Sequence, residues 1–327
     1  MNPKSILRLS FAGVFAICAW MGCTTGANAQ TVGKTITIIV PYTPGSGPDI
    51  MARLLGEEIQ QRWGQPVVID NKPGASGSLG ASQAARAEPD GQTIMMTTNP
   101  FTNNVALFKT LPYDPVKGFE PIVFAGSGAL VLTMHPSVPA KTTQEFIAYA
   151  KANPGKINYG SPGHGTPHHL AMELFKLTTK TDMKHIPYRG SAGATQDLIG
   201  GHVDAGFQAI HVIMPVARNN QVKLIAVASS ERQPIAPELP SLSEQGLPGF
   251  HVDLWYAVLA PAGTPKDVVG KYNAVINDIL AQPSVQERLA KQGIVVGGGT
   301  PERLRDFLVA ETAKWQKVVE DAAITRD

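Results

Sequence analysis

The stretch Thr35–Trp63, TITIIVPYTPGSGPDIMARLLGEEIQQRW, constrains the fold more than any other. It opens with a β-branched run, Thr35–Val40, which predicts a buried strand. Pro41-Tyr42-Thr43-Pro44-Gly45-Ser46-Gly47-Pro48 follows. Prolines and glycines at this density can neither extend a strand nor fill a helix interior, so the segment is a shaped loop. Asp49 stands where a side chain caps a helix. Ile50, Met51, Leu54, Leu55 and Ile59 then recur at helical spacing, with Arg53, Glu57, Glu58 and Gln61 on the opposite face. A strand, a glycine-containing loop and a helix N-terminus form an anion site, because free N–H groups and the positive end of the helix dipole face the loop.

The pattern repeats down the chain. Val67–Asp70 reads as a strand, 71–77 as a second Gly-rich loop containing Ala75 and Ser76, and Leu79–Ala87 as an Ala-rich helix. Thr93–Thr97 is a third strand, ending at Thr98 and Asn99. Such alternation predicts a doubly wound open sheet, in which ligands sit beyond the carboxyl ends of the strands. A strand pair, Ile122–Gly126 and Ala129–Met134, follows, and Thr142 with Glu145 forms a capping box. A second α/β unit then begins. Its strands are expected at 158–160, 183–186, 203–207 and 224–228. Its loops carry Ser161, Gly163, His164, Gly165 and Thr166, the last a candidate N-cap, then Arg189, Gly190 and Ser191. Gln208 and His211 follow its third strand. A strand at Trp255–Leu259 and helices at about 265–280, 283–292 and 301–319 return to the first unit. One lobe, 30–129 plus 254–327, is thus interrupted by another, 130–253, with crossings near Ala129 and Asp253 that act as a hinge.

The first residues read as a leader. Lys4 and Arg8 precede an apolar segment, Leu9–Met21, too short to span a bilayer, and Ala27-Asn28-Ala29 is an A-x-A cleavage signal. Cleavage after Ala29 leaves 298 of 327 residues. Lipidation at Cys23 is the rival reading. The 28 basic residues lose Lys4 and Arg8, leaving 26 against 26 acids, so a nucleic-acid partner is not expected. Cys18 and Cys23 both lie in the leader, so the mature chain has no disulfide, thiolate nucleophile or cysteine metal site.

Six blocks carry a resemblance: VPYTPGSGPDIMAR, GQPVVIDNKPGASGSLGA, LPYDPVKGFEPI, NPGKINYGSPGHGTPHHLAMELF, HIPYRGSAGATQDLIGGHVDA and LAPAGTPKDVV. In order and spacing they resemble the Bug-type solute receptors of tripartite tricarboxylate transporters. The resemblance implies an α/β protein with two doubly wound lobes on a two-crossing hinge, similar to type II periplasmic binding proteins. It further implies a periplasmic, monomeric receptor for a small carboxylate, passing its ligand to transporter subunits in the membrane and needing no cofactor. The ligand-binding positions expected are Tyr42, Pro44, Gly45, Ser46, Gly47, Asp49, Ala75, Ser76, Thr98, Asn99, Ser161, Gly163, His164, Gly165, Thr166, His168, Arg189, Gly190, Ser191, Gln208 and His211.

The chain departs from the usual family pattern where Ser46 interrupts three glycines, at His164, and at Gln208-Ala209-Ile210-His211. His164, His168 and His211 are expected to give the pocket an imidazole-lined wall suited to a larger or aromatic carboxylate. His164, His168 and His169 raise a zinc reading, but a metal is not expected: His164 and His168 are four apart, Pro167 and the loop keep them off one helical face, and no H-E-x-x-H is present. No G-x-S-x-G elbow or Walker loop supports an enzyme. A hydrolase or isomerase using a cleft histidine, and the ligand-sensing module of a signalling system, are the alternatives.

Overall fold

The computed structural model describes residues 34–321. The expected signal peptide, both cysteines and the cleavage signal lie outside the described residues. The expected α/β alternation is present. The first strands are β1 (Ile36–Val40), β2 (Val67–Asn71) and β3 (Thr93–Thr98), with α1 (Gly47–Trp63) and α2 (Ser78–Ala85) between them. A short 3-10 turn, Ala75–Gly77, precedes α2. β1 runs parallel to both β2 and β3. Ile36, Ile38 and Val40 pack with Met51 and Leu55 of α1, while Ile39 packs with Ala81 and Ala84 of α2 on the other face. Both faces of β1 are therefore covered, which explains a run of apolar residues without alternation. α1 ends at Gly64, left-handed at φ 65°.

After α3 (Pro100–Leu107) comes β4 (Phe119–Met134), which holds the molecule together. The expected strand pair is one strand of 16 residues, because Gly126-Ser127-Gly128 continues it instead of turning. These glycines serve close approach: a Cβ on Gly126 would lie 2.7 Å from Val295 O, and one on Gly128 3.1 Å from Tyr256 Oη. The second unit contains α4 (Thr143–Ala152), β5 (Asn158–Ser161), α5 (Pro167–Thr179), β6 (Lys184–Pro187), α6 (Ser191–Ile199), β7 (Ala205–Ala209), α7 (Ile210–Arg218) and β8 (Lys223–Val227). The chain returns through β9 (Asp253–Pro261), α8 (Lys266–Leu280), α9 (Pro283–Ala290), β10 (Ile294–Val296) and α10 (Pro301–Asp321). α3 and β10 were not anticipated from the sequence.

The sheet order is β2-β1-β3-β9-β4-β7-β5-β6, with β8 and β10 also on β4. β9 is antiparallel to both β3 and β4, so the sheet is mixed. The partner of β4 changes within one residue: Ala129 pairs with Asp253 of β9, and Leu130 pairs with Ala209 of β7. No described helix is long and apolar enough to cross a membrane.

Candidate functional site

The loop after β1 is shaped by Asp49. Its Oδ2 accepts from Gly45 N–H at 2.9 Å and from Arg53 Nε at 3.0 Å, and its Oδ1 accepts from Asn71 Nδ2 at 2.9 Å. Burial alone would raise its pKa, but the bonds from Arg53, Gly45 and Asn71 outweigh it and hold the carboxyl below its ordinary value. Asp49 is therefore a brace for the loop and not the helix cap expected. The N-cap of α1 is Ser46, which makes no side-chain capping bond. Its Oγ is buried without a partner. The start of α1 is left free on the cavity side, where Ser46, Gly47 and Pro48 line the wall.

Three further loops meet this one around a cavity of about 660 Å³. The second loop supplies Ala75, Ser76 and Gly77. Ala75 (φ 45°) and Ser76 (φ 50°) are left-handed without being glycine, a strained arrangement of the kind found at ligand clamps. The third supplies Gly163 and Thr166, whose hydroxyl accepts from His169 N–H as the N-cap of α5. The fourth supplies Arg189, Gly190 and Ser191 at the start of α6, which has no side-chain cap. Tyr42, Thr98, His168 and His211 also line the cavity.

Other expected positions lie elsewhere. Pro44 and Gly45 form the exposed outer turn of the first loop. Asn99 donates from Nδ2 to Asp253 O at 2.9 Å and accepts from Trp255 N–H at 3.1 Å, clasping the entry to β9. Ser161 bonds His185, Gly165 O accepts from Asn103 Nδ2, and Gln208 Oε1 accepts from Thr195 Oγ1. His164 is exposed, and its ring stands among His169 and His185. None of these residues, nor Asp49, lines the cavity. The imidazole wall therefore consists of His168 and His211 without His164.

Sequence reasoning missed Tyr188, Ala209, Leu254 and Tyr256, all on the wall. Tyr256 Oη is buried without a hydrogen-bond partner. No local signal marked Tyr256, which reaches the wall because it pairs with Thr98.

The wall carries no Asp or Glu and one cation, Arg189, which is exposed and forms no ion pair with the described residues. His168 and His211 are pressed down to about 3 and about 4 by burial, with the neighbouring His211 imidazole adding to the effect on His168. Both ring nitrogens of His168 and Nε2 of His211 are buried without partners. The cavity thus offers uncapped helix starts, hydroxyls, neutral imidazoles and one guanidinium, a donor-rich lining that suits an anionic oxygen ligand.

Comparison with known proteins agrees with this lining. The sequence model of the tripartite tricarboxylate transporter family receptor matches residues 51–324. Protein BugT of Bordetella pertussis is 32% identical, covering 98% of each chain. Among solved structures, R. palustris Rpa4515 with adipate is 32% identical with a TM-score of 0.87, over 90% of this chain and 98% of that one. MatC from Rhodopseudomonas palustris with bound malate is 34% identical with a TM-score of 0.82, over 87% of this chain and 98% of that one. These relatives are solute-binding receptors and not enzymes. A family match over most of the chain, joined to the fold and to a full-length Bug relative, makes this protein a Bug-type member of the tripartite tricarboxylate transporter receptor family.

Proposed function

We propose that this protein holds a small carboxylate, either a di- or tricarboxylate or an aromatic carboxylic acid, in the 660 Å³ cavity and delivers it to a membrane transporter of the tripartite tricarboxylate type. The observation that carries the reading is the pair of uncapped helix starts, α1 at Gly47 and α6 at Ser191, opening on one cavity without an acidic residue. Each N-terminus favours one carboxylate, through backbone N–H groups and the helix dipole. An acid with two anionic or polar ends satisfies both. The adipate of Rpa4515 and the malate of MatC, both dicarboxylates, support this class.

Two lobes, 30–129 with 254–327 and 130–253, belong to the proposal. The switch of β4 from Asp253 to Ala209 between Ala129 and Leu130 supports a hinge there. Export to the periplasm through a signal peptide cleaved after Ala29 belongs to it as well, with lipidation at Cys23 as the alternative processing. A thermal-shift screen over dicarboxylates, tricarboxylates and aromatic acids tests the reading. A ligand at 100 times its Kd stabilises by about 2.7 kcal/mol, and a screen without any shift contradicts it.

A further inference from the structure

Beside the cavity, His164, His169 and His185 bring one ring nitrogen each within 4.8 Å of one another. They come from the turn before α5, the first turn of α5, and β6. The rings of His169 and His185 stack at 4.1 Å, and His164 stands edge-on to both, at 5.4 and 4.8 Å. None of the three lines the cavity. The cluster is therefore separate from the carboxylate site, although it shares the 161–166 loop with it.

The hydrogen bonds around the rings leave one buried ring nitrogen of the cluster, His185 Nδ1, without a partner. Ser161 Oγ shares a hydrogen bond with His185 Nε2 at 2.6 Å and reaches Gly163 O at 3.1 Å. With Nε2 held by Ser161, Nδ1 of His185 is buried without a partner. Outer hydrogen bonds of this kind orient metal-bound imidazoles. His169 Nδ1 accepts from Gly165 N–H at 3.2 Å, a bond that an ion taken through this nitrogen would replace. Burial among the rings holds His169 and His185 down to about 3, so both are neutral. Glu173 takes a bond from Tyr159 Oη at 2.5 Å and pairs with Lys176 at 2.8 Å, which cancels the nearest charges.

We propose that His164, His169 and His185 form a binding site for one divalent transition-metal ion of the imidazole-preferring group, Zn²⁺, Co²⁺, Ni²⁺ or Cu²⁺, with solvent completing its coordination. Three imidazole nitrogens without a carboxylate disfavour Mg²⁺ and Ca²⁺, which take oxygen ligands. Zn–N bonds of about 2.0–2.1 Å in a tetrahedron place nitrogens roughly 3.3 Å apart. The rings must therefore draw in by about 1.5 Å at most. His164 can supply that movement: it is exposed, and it lies between Gly163 (φ 141°) and Gly165 (φ 70°). The sequence expectation of no metal weighed His164, His168 and His169; His168 faces the cavity, and β6 brings His185 in its place. A bound ion would brace the turn that carries Gly163 and Thr166 to the cavity wall.

The test is titration of the untagged mature protein with Zn²⁺ by calorimetry and with Co²⁺ by its d–d absorption. The expected result is one equivalent bound, with an intense tetrahedral Co²⁺ band. His164→Ala and His185→Ala each weaken binding by roughly tenfold or more, while His251→Ala, outside the cluster, binds as the parent does. His164 is exposed, so a melting curve without metal confirms that its variant is folded. Absence of binding at millimolar metal overturns the proposal, as does a folded His164→Ala that binds with the parent's affinity. Neither outcome depends on a carboxylate ligand.

Discussion

Ser76 Oγ donates to the carbonyl oxygen of His164 at 2.6 Å, tying the loop after β2 to the loop before α5. The partners are 88 residues apart, on either side of the point where β4 changes neighbours. Asn104 Nδ2 steadies the same loop by donating to Ser76 O at 3.1 Å. Ser76→Ala removes the latch and leaves the wall otherwise intact. A single exposed hydrogen bond contributes about 0.5–1.5 kcal/mol, so ligand release should quicken several-fold. Stopped-flow dissociation rates check this, and an unchanged rate means that the bond does not help hold the loops together.

Tyr256→Phe should separate affinity from stability. The hydroxyl is buried without a protein partner, so deleting it should cost the free protein little and can raise its melting temperature. If the hydroxyl donates to ligand, affinity falls by about tenfold, the worth of roughly 1.4 kcal/mol. Equal affinity in the two proteins would place the hydroxyl outside the ligand's contacts.

Asn99→Ala should act in the opposite sense. Asn99 does not line the cavity but clasps Asp253 O and the Trp255 N–H. Its loss strands two backbone groups at the start of β9, at a cost of about 1–3 kcal/mol. Urea unfolding without ligand measures it; an unaltered midpoint would show that water replaces the clasp.

Much of this was legible in the sequence because glycine, proline and cap residues act locally. The loops at Gly47, Ser76, Thr166 and Ser191 follow from strand–loop–helix spacing together with the family resemblance. What escaped depends on distant chain. Gly126 and Gly128 look like a turn until β10 and Tyr256 are seen to press against them. Tyr256 reaches the wall because β9 pairs with β3, a register that no local pattern encodes. The histidines divide similarly: His168 enters the cavity as the second residue of α5, while His164, only four residues earlier, turns toward β6.

Acid should destabilise the fold through buried imidazoles. His211 titrates near 6.5 when unfolded and at about 4 in the folded protein, because burial penalises its charged form. His168 faces it and is also depressed, to about 3. Below about pH 6.5 the unfolded chain binds protons that the folded one refuses. Stability is therefore full above pH 6.5 and falls as pH drops toward 4, by on the order of 3 kcal/mol for His211. Chemical unfolding of the parent and of His211→Asn across this range checks the slope, which should be shallower in the variant. Parallel slopes would contradict a buried, neutral His211.

The most direct measurement is calorimetric titration of malate, adipate, a tricarboxylate and an aromatic acid into the parent and into Gly47→Val. A Cβ at Gly47 would lie 2.3 Å from Tyr256 Oη, so valine crowds the start of α1 and the wall beside it. Overpacking of this kind costs about 1–3 kcal/mol, and circular dichroism shows whether the variant stays folded. The predicted result is one acid bound per parent chain and none detectable by folded Gly47→Val. A parent that binds none of these acids, or a folded variant that binds them as tightly, would contradict a carboxylate receptor built on the start of α1.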